Sequence, residues 1–433
     1  MKAIITAFAA VALSVPAFAQ GGAWSLDSCI SYAHAHNINV RRSAVDCLTA
    51  EYGVVEAKDR FLPTLSAGAS QNFSFGRGLT GDNTYANRNT QSFGVNVGLN
   101  MPVFQGLAGV RRLDYAKAGL RSMLEQHEAV KDDVTLNVIS QYLQVLYCRE
   151  MLDVASDQVK LSETELGRRR ELLAAGKIAE LDVLEAEAQL SRDELTLVTA
   201  ENDHMLALVA MTRLLQLENA EGFDVLPVDD AELPLPAVED VYANALGSNH
   251  GVRAAALNVK AAERYVSLSR TGYMPTLSFN AGLGTNYYKV SGVPGEGFGS
   301  QMRDNFSKSL GFTLSVPLFD AFGTRNSVRR AKASQITAEL QLDDARSQLY
   351  QNIRQAHSQA VAARRKCASG EVAARSSRAA LDAMQEKYNY GRANATEFEQ
   401  AKSAWFRARA ELVQARYESM LRTRIVDFYN RSE

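Results

Sequence analysis

The chain is written twice. Leu26-Asp27 and Ala33 return as Val238-Glu239 and Ala245, and Leu62-Pro63-Thr64-Leu65 returns as Met274-Pro275-Thr276-Leu277, both at an offset of 212 positions. Further on, Pro102-Val103-Phe104 matches Pro317-Leu318-Phe319, Ala116-Lys117-Ala118 matches Ala331-Lys332-Ala333, and Gly176 matches Gly391, at an offset of 215. The copies therefore differ by about three inserted residues, placed between two strand-like segments. A period this constant means one unit used twice around a pseudo-symmetry axis, not two domains with separate tasks. It overrides the prior of two or three unrelated globular domains that 433 residues would otherwise set. The chain divides into a leader at 1–19, a first repeat at 20–220, a linker at 221–237 with Pro227, Pro234 and Pro236, and a second repeat at 238–433.

Lys2, the apolar run Ile4–Val15, and Ala17-Phe18-Ala19 before Gln20 have the form of a secretory signal peptide with an A-x-A cleavage site. The mature chain is expected to start near Gln20, outside the cytoplasm, and without the acylated cysteine that would tether its N-terminus. No later stretch supplies the roughly 20 consecutive apolar residues of a transmembrane helix. An exported chain of this kind that crosses a membrane has to do so as a closed β-barrel, because lipid satisfies no backbone group left unpaired. Cys29, Cys47, Cys148 and Cys367 lie in helical patterns without C-x-x-C spacing, and read as buried thiols instead of a disulfide framework or zinc site. A net charge of −2, with both signs interspersed along helices, leaves no nucleic-acid footprint.

Four segments alternate. Leu65, Ala67, Ala69, Phe73 and Phe75 oppose Thr64, Ser66, Gly68, Ser70, Asn72 and Ser74; Phe93, Val95, Val97, Leu99 and Met101 oppose Ser92, Gly94, Asn96, Gly98 and Asn100. In the second copy Leu277, Phe279, Ala281, Leu283 and Tyr287 oppose Thr276, Ser278, Asn280, Gly282, Gly284 and Asn286, and Leu310, Phe312, Leu314 and Val316 oppose Ser309, Gly311, Thr313 and Ser315. One apolar face and one of small polar residues, about ten residues long, is the transmembrane β-strand pattern. A soluble half-buried strand has the same period. Recurrence four times behind an export signal, with outer faces almost free of charge, favours the barrel, with strands at about 62–75, 92–101, 276–288 and 306–317. Pro63, Pro102, Pro275 and Pro317 then mark the corners where strand meets helix. Gly76–Gln91 and Lys289–Asp304 read as solvent-exposed hairpin loops. Gly295-Glu296-Gly297-Phe298-Gly299 has neither the Gly-Lys-Ser/Thr ending nor the following helix expected of a phosphate loop.

Each second strand leads into a proline-free helical stretch, Ala108–Ala174 and Gly323–Tyr388, on the order of 100 Å long at 1.5 Å per residue. Val138, Val145, Leu152, Val159, Leu166 and Leu173 recur every seventh residue, as do Ile353, Ala360, Cys367, Ala374, Leu381 and Tyr388 in the copy. A seven-residue seam of this kind makes a left-handed coiled coil. Gly176 and Gly391 are the residue type that ends a helix in the left-handed conformation. Return helices are expected at Glu180–Leu217 and Thr396–Val426, and a helix before each first strand at about Leu26–Lys58 and Val238–Leu268.

Two strands set between helices, duplicated, behind a signal peptide, resemble the TolC-like outer-membrane efflux protein family over nearly the whole mature chain. The most specific marks are the turns Leu172-Leu173-Ala174-Ala175-Gly176-Lys177-Ile178-Ala179-Glu180-Leu181-Asp182 and Tyr388-Asn389-Tyr390-Gly391, with Glu397 six residues past its glycine as Asp182 is past its own. The resemblance implies an α+β membrane protein in which long coiled-coil helices form an α-helical barrel, and four strands per chain join a 12-stranded trimeric β-barrel. It implies a homotrimer in the outer membrane of a Gram-negative bacterium, joined through a periplasmic adaptor protein to an inner-membrane transporter. It also implies a constriction at the periplasmic tip, formed by Asp182 of the first copy and Tyr388, Glu397 and Gln400 of the second, with the turns at Gly176 and Gly391 as adaptor contacts. Where the family often has Ser or Thr after the glycine this chain has Ala179 and Asn394, and where some members have Arg and Asp it has Ala393 and Gln400. The closing network therefore differs in detail, and Glu185, matched to Gln400, supplies a second carboxylate from the other copy.

Nothing in the sequence forms the convergent set of acids, bases or nucleophiles an enzyme needs, and no cofactor or metal site is expected. His34 and His36, two apart on a helix, point about 200° from each other. His127, His204, His250 and His357 read as surface residues, and Arg168-Arg169-Arg170 and Arg329-Arg330 as solvated faces or interhelical ion pairs. The rival function is a periplasmic adaptor, which also has a signal peptide and a helical hairpin. An adaptor carries one hairpin flanked by soluble β-domains, not two hairpins and four lipid-compatible strands. The lumen-facing Ser, Thr, Asn and Gly leave drugs, metals and proteins all open as cargo, with few His and no Met clusters to suit a dedicated metal route.

Overall fold

The computed structural model describes residues 23–79, 83–217, 222–228 and 233–431, so the expected leader at 1–19 lies outside the described residues, as does part of the linker. The chain forms two compact units. One contains residues 46–124 and 254–343, and the other the remainder of the described chain. Among the described residues no helix is long and apolar enough to cross a membrane.

The first of these units is built on one antiparallel sheet. Its strands are β2 (Thr64–Ser74), β5 (Thr90–Phe104), β7 (Thr276–Val290) and β8 (Ser307–Ser315), joined in that order, so the two copies meet along β5 and β7. The register aligns the alternation read from the sequence: Leu65 pairs with Leu99, Leu99 with Ala281 and Ala281 with Leu310. The apolar side chains of all four strands thus share one face. On the other face Asn100 donates to Asn280 at 2.7 Å, and Asn280 to Thr313 at 3.2 Å. Leu310 is 79% and Phe312 70% exposed. Apolar area of this kind on one chain calls for lipid or a partner.

Two expectations for this unit are corrected. Pro102 is not a corner: β5 continues through it to Phe104, with Pro102 opposite Ser278 and the register slipping between Pro102 and Phe104. Val103 is the residue passed over at that slip, and Pro102 lies beyond the last β2 pair, Thr64 with Asn100, so the proline sits where the ladder is ending and irregular. The segment after β7 is also not plain loop, because Phe298–Asp304 is a short helix, α7, with Gly297 at its N-cap. Its role is local. Pairing of β7 with β8 stops at Gly284 and Ser307, and beyond it Gln301 accepts from the Tyr288 amide at 3.0 Å and donates to the Tyr288 carbonyl at 3.1 Å, while Asn305 donates to the Asn286 carbonyl. Side-chain amides here stand in for a strand. A smaller hairpin, β3 (Arg77–Leu79) with β4 (Tyr85–Asn87), occupies the first expected loop.

The long helices α3 (Ala108–Ala174) and α8 (Gly323–Asn389) contribute to both units. In the second unit they pack with the return helices α4 (Glu180–Leu215) and α9 (Ala395–Asn430), and with α1 (Leu26–His36) and α5 (Val238–Ser248). Most of the seven-residue seam is buried: Val138 and Val145 are inaccessible, as is Ala360, and Ile353 and Leu381 are nearly so, while Leu152, Leu173, Cys367 and Tyr388 are half-buried. Tyr142 donates to the carbonyls of Trp24 and Leu226, beside a parallel pair formed by β1 (Ala23–Trp24) and β6 (Asp224–Val225). Burial foremost pushes its phenol up to about 12, and pushes the Cys29 thiol to about 12 as well. All four cysteines are free thiols.

The helix expected before each first strand is two helices. Breaks fall at Asn37 and Asn249, before α2 (Ile38–Asp59) and α6 (His250–Ser269). Both asparagines have extended ψ and accept a nearby backbone N–H, Asn39 to Asn37 at 2.9 Å and Val252 to Asn249 at 3.0 Å, so each caps the helix it starts. The histidines are also not simply exposed: His127 meets Ser43 at 2.7 Å, His250 meets Glu125 at 2.9 Å, and both are half-buried.

Candidate functional site: the two hairpin tips

The tips reverse by the same local device. Gly176 and Gly391 both have φ of +69°, a left-handed conformation open to glycine without strain. Gly176 donates to Leu173 and Lys177 to Leu172, both at 2.9 Å; Gly391 donates to Tyr388 at 3.1 Å and Arg392 to Lys387 at 2.8 Å. Each tip therefore closes with the paired bonds of a Schellman ending.

Asp182 and Glu397 then occupy the third position of α4 and α9. Glu397 accepts from the Asn394 amide at 3.0 Å while Asn394 accepts from the Glu397 amide at 2.8 Å, a complete capping box. Asp182 accepts from the Ala179 amide at 3.1 Å, but the methyl of Ala179 returns nothing. Both carboxylates also sit at the positive end of a helix dipole. Glu185 and Gln400 lie one turn further on, exposed and with no hydrogen bond or ion pair among the described residues. The structure thus places Asp182 with Glu185 on α4 and Glu397 with Gln400 on α9.

Tyr388, at the end of α8, is held instead of free. Its ring stacks on Phe398 with centroids 5.1 Å apart and an interplanar angle of 11°, and the Arg168 guanidinium covers it at 4.6 Å. Arg168 also donates to Asn389 Oδ1 at 2.6 Å. The Tyr388 hydroxyl lies near Glu165 and Arg169, and its pKa is raised, chiefly by burial and then by Glu165, against the opposing pull of Arg169. This clasp joins α8 to α3.

Behind the tips lies a buried ionic chain, of which the sequence pointed only to the Arg168-Arg169-Arg170 run, as solvated faces or interhelical ion pairs. Arg169, 2% exposed, reaches Glu165 at 3.3 Å, the Asp182 carbonyl at 3.0 Å and Glu399 at 3.6 Å. Glu399 meets Lys402 at 3.2 Å; Lys402, 1% exposed, donates to Ser162 at 2.7 Å and lies 3.7 Å from Asp193. Asp193, also buried, accepts from Ser162, from Gln158 at 2.6 Å and from Gln189 at 2.9 Å. Of the arginine run, Arg168 and Arg169 therefore bridge helices and Arg170 pairs with Glu187. A signal was present: Lys402, Arg409 and Arg416 recur every seven residues, and Arg409 meets Asp157 at 2.8 Å and Arg416 meets Glu150 at 4.0 Å. That spacing is the interhelical charge pattern of a coiled coil.

Residues 29–216 and 241–422 match the family described as "Outer membrane efflux protein". The chain is 24% identical over 423 residues to Outer membrane protein TolC of Escherichia coli, spanning 95% of this chain and 83% of that one. It is 28% identical over 418 residues to Protein CyaE of Bordetella pertussis, spanning 92% and 82%. Among solved structures, the Campylobacter jejuni CmeC outer membrane channel superposes with a TM-score of 0.77 over 94% of this chain and 85% of that one, at 15% identity, a likeness of fold.

Proposed function

The chain belongs to the outer membrane efflux protein family and is an outer-membrane exit channel of the kind that serves efflux and type I secretion, and on that premise we propose how it assembles and closes. Three copies complete one barrel. The observation that carries this is the four-stranded sheet with aligned apolar faces, whose outer edges on β2 and β8 have no strand partner among the described residues. An open edge in lipid leaves backbone groups unsatisfied at several kcal/mol each. Two copies would reach about eight strands, a barrel whose interior fills with side chains, whereas three give an open pore.

The duct is passive: it binds, opens and conducts, while an inner-membrane transporter supplies the energy through an adaptor that meets the turns at Gly176 and Gly391. Closure lies at the tips. Asp182, Glu185 and Glu397, repeated in three chains, make an acidic ring that favours cations, and Tyr388 and Gln400 narrow the passage. The exposed, unpaired carboxylate of Glu185 supports this role most directly, since Asp182 and Glu397 also cap helices.

Conductance across a planar bilayer tests the gate. Replacing Asp182, Glu185 and Glu397 by Asn, Gln and Gln is expected to reduce cation selectivity, and Tyr388→Ala to raise conductance by releasing the clasp. Unchanged selectivity and conductance in both variants would remove these residues from gating.

A further inference from the structure

We propose that Lys402 is a positioning residue of the gate: with Asp193 it forms a buried bolt that holds α9 of the second repeat against α3 and α4 of the first. The inference rests on the tip-gate reading above and adds a second restraint to it. The Tyr388 clasp ties only the end of α8, through half-buried groups and a cation–π contact. The bolt ties three helices through groups almost wholly removed from water.

The chemistry favours a restraint over a cargo site. Charged groups facing Lys402 come from every helix packed on it: Asp193 from α4, Glu399 from its own helix, and Arg169 of α3 on the far side of Glu399. Ser162 of α3 bridges Lys402 and Asp193. Glu165, Asp193 and Glu399 outnumber Arg169 and Lys402, and of the three carboxylates Glu399 is the most exposed, its side chain at 25%. Buried ions are costly unless paired, so separating α9 from the first hairpin would strip Lys402 and Asp193 of each other at high cost. Asp193 would keep Gln158 and Gln189 as donors, whereas Lys402 would keep only Glu399, on its own helix. The lysine is therefore the member whose partners change most when the hairpins part.

Single-channel conductance of the assembled protein decides the matter, with Lys402→Met as the variant, Lys366→Met as the control, since the Lys366 pair with Glu418 is exposed and stays within the second hairpin, and Tyr388→Ala beside them. Lys402→Met is expected to conduct several-fold better than the unaltered channel, Lys366→Met to match it, and the exchange Lys402→Asp with Asp193→Lys to restore the closed level. If assembled Lys402→Met stays at the unaltered conductance while Tyr388→Ala rises, the bolt is wrong and the tip gate stands. If neither rises, the tip gate fails and the bolt with it. Should Lys402→Met not assemble, Lys402→Gln, which keeps a polar end within reach of Ser162, is read in its place, and a closed-level conductance there overturns the proposal.

Discussion

Glycine at 176 and 391 was legible because a helix reversal is a local backbone event, and φ of +69° at both confirms it. Gly176→Ala is expected to cost about 1–2 kcal/mol, the strain of a Cβ in the left-handed region, measurable as a lowered thermal midpoint of the detergent-solubilised protein. The half-made cap at Ala179 gives the opposite sign: Ala179→Asn, copying Asn394, is expected to stabilise the first tip by about 1 kcal/mol. Burial was not legible. Lys402, Arg169 and Asp193 look like any solvated charge until three helices close around them, and the half-buried His127 and His250 are the same case. Burial foremost holds His34, His127 and His204 below the ordinary histidine range. Because the unfolded chain takes up these protons first, their contribution is complete above the unfolded pKa near 6.5 and lost as pH falls through the lower folded values. Thermal midpoints between about pH 7.5 and 5.5 are expected to fall with pH, less steeply in a His34→Gln, His127→Gln variant. Equal slopes would assign the loss to other groups.

Periodic elements were read closely, and the misses share a cause. The bounds Ala108–Ala174 agree with α3, and the four alternating runs became β2, β5, β7 and β8, because periods of seven and two follow from which face is buried. The misses are aperiodic: the break at Asn37 and the helix at Phe298–Asp304 involve side chains meeting backbone from elsewhere, the break at Asn249 a local cap, and the strand past Pro102 a shift of register. Asn37, for example, also donates to the Leu214 carbonyl, a contact no local pattern reveals. Face assignment can be tested strand by strand. Val97 lies on the apolar face between Ala67 and Leu283, and Asn96 on the other. Val97→Arg is expected to cost roughly 2–4 kcal/mol and impair assembly if that face meets lipid near mid-membrane, while Asn96→Arg is tolerated in a watered lumen. Equal yields of assembled protein would reverse or void the assignment.

For the molecule as a whole, the duplication gave the plan, since each repeat supplies two strands and a helical hairpin and neither repeat can close a barrel. What one chain cannot display is its completion. Among the described residues the outer edges of β2 and β8 are unpaired, and Leu310 and Phe312 stand exposed, so the chain by itself is an unfinished object in lipid. The acidic ring, the bolt and the adaptor contacts all presuppose that copies finish it. Native mass spectrometry of the detergent-extracted protein tests that presupposition most directly. The expected result is a single assembly of three chains, persisting when detergent is exchanged; a monomer or a dimer as the stable species would contradict the barrel, and with it the duct.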